Sequence, residues 1–186
     1  MLRILPVLLM LAAIVPTSHA TEVGKFHISP RVGRGEMRID EAFTVTNARE
    51  KSDALSMGCV LGYSTPFGLL LEVGAESQQN FNWWNAEDEF SLSQQYLAIG
   101  YEIGFAEGWT FTPKAGRARW KLHSEEGRLS NPGPEEAADI RGYEYFWEAQ
   151  ISRQLTDKVS LGGAYQEGEY DFGRARSLSF VATFRF

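Results

Sequence analysis

Apolar and polar residues alternate with a period of two along much of the chain, and the pattern is clearest at residues 177–186. The apolar face of this segment carries five alternate positions: Leu178, Phe180, Ala182, Phe184 and Phe186. Strict alternation over about ten residues matches the length of a tilted membrane-spanning β-strand. Three exposed phenylalanines on an edge strand in water would instead favour aggregation. The pattern therefore predicts a transmembrane strand.

Similar alternation recurs in seven further segments. We predict strands at about 25–35, 54–64, 69–77, 91–103, 109–122, 141–154, 159–170 and 177–186. The links 36–53, 78–90 and 123–140 are long and polar, those at 65–68, 104–108 and 155–158 are short, and 171–176 is intermediate. An even strand count with long outer loops and short periplasmic turns is typical of bacterial barrels. The predicted fold is an all-β, eight-stranded antiparallel up-and-down transmembrane β-barrel formed by residues 21–186.

The two faces of the predicted strands differ in a way that indicates their orientation. One face is bulky and apolar, and the other combines small residues with scattered charges: Arg31, Glu72, Glu76, Glu102, Lys114, Glu144, Glu148 and Arg185. A charge on the lipid side costs about 2–4 kcal/mol near the midplane, and eight strands leave space only for side chains. We therefore expect the charges inside the lumen. Arg117 and Arg119 fall in the outward register, and we place them above the hydrocarbon, near lipid headgroups.

Residues 1–20 have the pattern of a secretory signal peptide: Arg3, an apolar run over 4–15, and Ser18-His19-Ala20 as a small-x-small cleavage site. A membrane anchor is the alternative, but the apolar run is short for spanning a bilayer. Without Arg3 the 18 basic residues become 17, so the net charge is 17 − 24 = −7. This acidic balance argues against a nucleic-acid partner. Cys59 is the only cysteine, which excludes an internal disulfide, and we expect it to be an inert, lipid-facing hydrophobe.

Several short motifs stand in an order that resembles the eight-stranded OmpA/OmpX-type outer membrane barrels. They are Gly62-Tyr63, Glu72, Ile99-Gly100-Tyr101 and the segment 114–121, and the resemblance covers the whole of 21–186. It implies that an interior acid on the third strand and a base on the fifth form a salt-bridged plug, at Glu72 and Lys114. It also implies that Phe186 is the signal read by the outer-membrane assembly machinery. The periplasmic peptidoglycan-binding domain of larger members is expected to be absent.

Two groups of residues are candidate functional sites. The interior charge network comprises Arg31, Glu72, Lys114, Glu148 and Arg185. Its members either pair to fill a closed lumen or line a gated ion path. A possible loop contact patch comprises Phe81, Trp83 and Trp84, which either bind a host or envelope protein or anchor the membrane rim.

Two further groups have simpler interpretations. His123 and Ser124 are the residue types that some lipid-modifying barrel enzymes use, but adjacency in a loop does not align a nucleophile with a base. Five acids could hold Ca²⁺ or Mg²⁺ between lipopolysaccharide phosphates, but their spacing matches no EF-hand-like loop: Glu125, Glu126, Glu135, Glu136 and Asp139. We predict a solvated loop, with no catalytic residue, cofactor or metal site.

The predicted function is that of a non-enzymatic barrel in the Gram-negative outer membrane. Its role would be structural, in envelope integrity, or adhesin-like, through surface contacts. Expected partners are outer membrane lipids and lipopolysaccharide, the assembly machinery, and a host or envelope protein at the loops. The first alternative is a small or gated diffusion pore of the porin type. The second is a lipid-A-modifying enzyme.

Overall fold

The computed structural model describes residues 24–41, 50–79, 90–124 and 139–186, so the predicted signal peptide lies outside it. The strands are β1 Lys25–Ile39, β2 Glu50–Ser64, β3 Leu69–Gln79, β4 Ser91–Tyr101, β5 Ile103–Ala106, β6 Trp109–His123, β7 Asp139–Thr156, β8 Val159–Tyr170 and β9 Gly173–Arg185. They pair antiparallel in the order β4-β3-β2-β1-β9-β8-β7-β6-β5, and β4 also pairs with β6, which closes the sheet. No helix among the described residues is long and apolar enough to cross a membrane.

Two prolines interrupt the hydrogen-bonded ladders without changing the register. β4 and the first half of β5 pair with β6 in one register, and the pairing lapses at Tyr101 and Glu102, next to Pro113 on β6. The β1–β9 ladder likewise lapses between Ile28 and Arg31, at Pro30. Proline has no N–H to donate. β4 and β5 are therefore two parts of one strand of the barrel, which makes eight strands in all. The predicted eight-stranded antiparallel barrel is confirmed.

The strands extend further than predicted at the end that carries the long links. β1 continues to Ile39, and β9 begins at Gly173, so the predicted link 171–176 shrinks to Asp171 and Phe172. In these extensions the polarity of the two faces is inverted. Met37 points into the barrel while Glu36 lies on the outer wall. The inversion hid these residues from a search for strands with an apolar outer face.

The outer wall carries the bulky apolar side chains, as predicted. Leu71, Ile99 and Phe180 are 49%, 52% and 54% exposed, whereas Glu72 and Lys114 are buried. Four or five outward positions, at about 6.8 Å each, span roughly 27–34 Å along a strand, which a tilt of about 40° reduces to roughly 21–26 Å, close to an apolar band of about 25 Å. The wall therefore has the dimensions of a hydrocarbon-facing surface.

Glycines on the inner wall make room for aromatic rings on the neighbouring strand. Gly74 lies opposite Tyr96, and Gly116 lies opposite Phe146. A Cβ atom added at Gly74 would collide with the ring of Tyr96. Pairing a residue without a side chain with a large ring lets a narrow lumen fill at normal packing density.

We expect Gly116→Ala to lower the free energy of unfolding by about 1–3 kcal/mol, the usual cost of overpacking. The new Cβ would collide with the carbonyl oxygen of Leu97 and lie 2.6 Å from the ring of Phe146. Gly163→Ala is the control, because the nearest atom to its Cβ is the carbonyl oxygen of Ser179 at 3.8 Å. Urea unfolding in lipid vesicles, followed by the mobility of unboiled samples on gels, measures both. Equal stability of the two variants would contradict the packing argument.

Candidate functional site: the charged lumen

Four buried charges from four strands meet in the centre of the lumen. Arg31 on β1 donates from Nη1 to Glu148 Oε2 on β7 at 2.7 Å. Lys114 on β6 lies 2.9 Å from Glu148 Oε1 and donates to Glu72 Oε1 on β3 at 3.0 Å. All four residues are almost completely buried. The structure therefore brings together four of the five residues of the predicted interior charge network.

Strand register and small residues place these long side chains. Lys114 and Glu148 lie directly opposite each other on β6 and β7. On its other side Lys114 lies opposite Gly100, where an added Cβ would come within 2.8 Å of the lysine Cγ. Arg31 lies opposite Gly58 in the same way, with its Cγ at 3.2 Å. Lys114 and Arg31 therefore each have space in the lumen because the position that faces them on one side is a glycine.

Polar neighbours complete the network. Lys114 also donates to Gln150 Oε1 at 2.9 Å, so its three N–H groups face three acceptors. His27 Nε2 lies 3.3 Å from Glu72 Oε1. Glu76 lies 3.8 Å from Arg31 and accepts a hydrogen bond from Ser56 at 2.7 Å. Such contacts offset the desolvation of buried charges, which is strongly unfavourable for a charge left alone.

The fifth predicted member, Arg185, belongs to a separate pair near the short turns. It donates to Glu102 Oε1 at 3.1 Å and to Ser160 Oγ at 3.0 Å. A cavity of about 10 Å³ lies between this pair and the central network, bounded on the two sides by Arg185 and Lys114. This volume is about the space of one water molecule. Arg185 therefore pairs with Glu102 and Ser160, apart from the four central charges.

An apolar cluster fills the lumen on the other side of the charges, at the end with the long links. Its members are Met37, Ile39, Ala54, Phe90, Leu92, Trp120, Leu122, Ile140, Tyr170, Phe172 and Ala175. The rings of Tyr170 and Phe172 stack at 5.1 Å, and Trp120 packs edge-on against Phe172 at 5.0 Å. The apolar-outward alternation used to predict the strands did not reveal this cluster. A signal for it exists in the sequence: in the strand extensions the alternation continues with apolar residues facing inward, as at Met37 and Ile39, and polar residues facing outward, as at Glu36 and Arg38.

Solved structures match the chain by fold, although no protein family and no curated protein matches it by sequence. Neisserial surface protein A is 13% identical with a TM-score of 0.66, covering 89% of this chain and 100% of that one. Ail, the attachment invasion locus protein of Yersinia pestis, is 12% identical with a TM-score of 0.56 and covers 89% and 100%. The outer membrane protein OprG from Pseudomonas aeruginosa is 10% identical with a TM-score of 0.52 and covers 90% and 98%.

The chain has the fold of the eight-stranded outer membrane β-barrels. The resemblance inferred from the sequence motifs is thus confirmed at the level of the fold. Identities of 10–13% carry no more specific role, because one fold supports many functions.

Two further residues singled out in the sequence, Phe186 and Cys59, are exposed on the outside of the barrel. Phe186 is 76% exposed, and its N–H donates to the Phe26 carbonyl at 2.9 Å, which joins the chain's end to β1. Cys59 is exposed on the apolar outer wall. The predicted contact patch of Phe81, Trp83 and Trp84 lies outside the described residues.

The residues considered for enzymatic or metal chemistry do not assemble into a site within the described structure. His123 Nδ1 lies 2.7 Å from Asp139 Oδ1 on the outer wall, whereas Ser124 is buried. Of the five acids considered for a cation, only Asp139 falls in the described segments. No group of three or more His, Cys, Asp or Glu in those segments could hold a metal ion.

An ion cluster outside the hydrocarbon band holds β1, β2 and β9 together. Glu36 accepts from Arg38 at 2.8 Å and Arg176 at 2.7 Å, and lies 3.2 Å from Lys51. Desolvation works to raise the pKa of Glu36, but the hydrogen bonds from Arg176, Arg38 and Lys51 together outweigh it and lower the pKa to about 2. The carboxylate therefore stays ionised down to unusually low pH.

Replacing one member of the buried network should leave charges without partners. We expect Lys114→Met to lower the free energy of unfolding by about 3–5 kcal/mol, because Glu72 then retains, among the described residues, only its contact with His27. Combining it with Glu72→Gln should recover much of this loss, since Glu148 retains Arg31. Urea titrations of the two single variants and the double variant measure the coupling. Additive losses would mean that the two residues do not interact energetically.

The Glu36 cluster should make barrel stability depend on pH. A folded-state pKa of about 2, below the ordinary 4.5, means that its contribution is fully present above pH 4.5. That contribution is lost as the pH falls towards 2. The stability difference between the wild type and Glu36→Gln should therefore be largest near neutral pH and shrink below pH 4.5. Urea midpoints at pH 7 and pH 3 measure this; a difference independent of pH would exclude the ionised cluster as its source.

Proposed function

We propose that the protein is an outer membrane barrel, exported by a signal peptide at residues 1–20, with a closed lumen and no enzymatic activity. Its role is to support envelope integrity or to contact a surface partner through the end that carries the long links. In this proposal Phe186 is the signal read by the outer-membrane assembly machinery, and the barrel's lipid partners are outer membrane lipids and lipopolysaccharide.

The filled lumen is the observation that carries the proposal. Arg31, Lys114 and their carboxylates occupy the centre, and the apolar cluster around Trp120 and Phe172 occupies the outer end. Ion transport through such a barrel requires both the charged centre and the apolar cluster to rearrange. Arg31 and Lys114 would have to leave buried carboxylates, and the rings would have to separate in water.

The strand extensions support a role in surface contact. The outer walls of β1, β2 and β9 are polar beyond the apolar band, and ion pairs join neighbouring strands there, including Arg34–Asp53 at 3.0 Å and Arg176–Glu36 at 2.7 Å. These ion pairs join β1 to β2 and to β9 at the end of the barrel that carries the long links. Loops on a rigid barrel are a common site of recognition.

A narrow pore gated by the charge network is the second candidate. The specific observation in its favour is the concentration of ionic side chains on the lumen axis, where Lys114 contacts both Glu72 and Glu148. In this candidate, a change in those contacts opens the centre of the lumen, and the rings of the apolar cluster separate with it.

Single-channel recording in planar bilayers separates the two candidates. We expect the purified wild type to show no discrete conductance, because two packed layers block the lumen. Leu122→Ala combined with Lys114→Ala removes volume from both layers and provides the comparison variant. Discrete wild-type openings that are altered by Lys114→Ala would establish the pore and overturn the closed barrel. A deletion strain that becomes sensitive to detergent, and is restored by the wild-type gene, would support the envelope role.

A further inference from the structure

Basic residues on the outer wall above the apolar band form two groups that differ in how their charge is neutralised. On β1, β2 and β9, five basic residues lie among four acids, two of which are on β8: Arg34, Arg38, Lys51, Arg174 and Arg176 with Glu36, Asp53, Glu167 and Glu169. Each of the five lies within 3.4 Å of a carboxylate oxygen. We call this surface the paired wall.

On β6 and β7 the balance is different. The basic wall comprises Arg117, Arg119, Lys121 and Arg141. Among the described residues, its only carboxylate is Asp139, which lies 3.0 Å from Lys121 and 3.7 Å from Arg141 and also binds His123. Four cations and one anion leave a net charge of 4 − 1 = +3. No described carboxylate pairs with Arg119, and Arg117 lies over the rings of Tyr143 and Tyr145 at 5.3 and 5.7 Å.

Strand register concentrates this charge. Lys121 lies directly opposite Arg141, and Arg119 lies two residues away on the same face. Like charges directly opposite each other on neighbouring strands destabilise the pair. Asp139 contacts both side chains and offsets part of this repulsion. A bound anion would reduce it further, and phosphate suits guanidinium groups because the two can form bidentate hydrogen bonds.

The basic wall borders a depression of about 610 Å³. Its lining includes the small outward residues Ala75, Ser77 and Ser93 together with Arg119, Lys121 and Arg141. Ser93 and Lys121 lie opposite each other on β4 and β6, as do Gln95 and Arg119. The recess therefore places hydroxyl and amide groups beside the three cations, a combination that suits a phosphorylated sugar.

An apolar groove of about 1030 Å³ adjoins this recess on the side of the hydrocarbon. Val73, Leu97, Ile99 and Ala115 line it, and Arg117 lies at its upper edge. Leu97 is two residues from Gln95 on the same face of β4, so the two depressions are consecutive along the strand. Along the wall, the polar, cationic recess is followed by the apolar groove. This matches the order of headgroup and acyl chains in an anionic lipid.

The direction of the strands places the recess in the outer leaflet. The basic wall lies towards the ends of β6 and β7 that carry the segment 125–138, far from the short turns at Glu107-Gly108 and Asp157-Lys158. Short turns lie on the periplasmic side in bacterial barrels. This step rests on the outer membrane location proposed above.

We propose that the outer wall of β3, β4, β6 and β7 is a binding site for one phosphorylated glycolipid of the outer leaflet, of the lipid A type. Arg119, Lys121 and Arg141 bind the phosphate groups, Ser77, Ser93 and Gln95 contact the sugar, and the groove along Leu97 and Ile99 holds an acyl chain. In this proposal the basic wall binds lipid, whereas the basic residues of the paired wall are neutralised by neighbouring acids.

The test compares two variants with the same change in charge. Arg119→Gln/Lys121→Gln/Arg141→Gln removes three positive charges from the basic wall, and Arg38→Gln/Lys51→Gln/Arg174→Gln removes three from the paired wall. Diphosphorylated lipid A is titrated into the purified mature barrel in neutral detergent, with binding read by native mass spectrometry. The first variant should bind at least about tenfold more weakly, the loss expected from one charge-assisted hydrogen bond. The second should change by less than about threefold. Equal weakening of both would overturn the proposal.

Two further ligands separate a lipid site from a simple anion site. Lipid A without its phosphates should bind more weakly to the wild type because the cations lose their partners. The deacylated disaccharide diphosphate should also bind more weakly because the groove stays empty; binding as tight as that of lipid A would overturn the lipid assignment.

Folding and the proposed function are controlled separately. Gel mobility of unboiled samples confirms that each variant is folded. If the triple variant does not fold, Arg119→Gln alone provides the test, because it breaks no ion pair in the described structure, and unchanged lipid A binding by it would contradict the site. A conducting lumen would overturn the closed barrel without affecting these binding results.

Discussion

Hydrocarbon offers no hydrogen-bonding partner for the peptide backbone, and this constraint shapes the whole molecule. A membrane-spanning sheet must satisfy every N–H and C=O group internally, which requires it to close. Here the closure joins β1 to β9, and the last residue reaches back to the first strand through the Phe186 N–H and the Phe26 carbonyl. Where Pro30 interrupts this ladder, the hydroxyls of Ser29 and Thr183 lie 2.9 Å apart and join the strands through their side chains.

Closure with eight strands leaves a lumen so narrow that its contents are decided by packing. In the centre, glycines opposite Lys114 and Arg31 provide the space for long side chains. Because water has little access there, each cation has to meet carboxylates directly, and Arg31, Glu148, Lys114 and Glu72 form a continuous chain of contacts. Further out, where the wall faces water, the lumen is filled by rings and aliphatic side chains.

The polarity of the wall reverses along each strand because its surroundings change. Within the membrane the apolar side chains face outward and the charges face inward. Beyond it the same strands expose ion pairs such as Glu36–Arg176 and bury residues such as Met37. The two sides of the outer wall then differ from each other: the ion pairs of β1, β2 and β9 are complete, whereas β6 and β7 present cations in excess. This excess of positive charge makes the side of β6 and β7 the one suited to anionic ligands.

The period-two alternation by itself determined the fold class, the number of strands and the outward direction of residues such as Leu71 and Phe180. It could do so because a lipid-facing strand must present an apolar residue at every second position. It also placed Glu72, Lys114 and Glu148 inside, because a charge on the lipid side is costly. Only the tertiary structure decided that Lys114 joins Glu72 to Glu148 while Arg185 pairs with Glu102, that Phe172 belongs to a core, and that Lys121 stands opposite Arg141. These outcomes depend on the register between strands far apart in the chain, and alternation along a single strand carries no information about register.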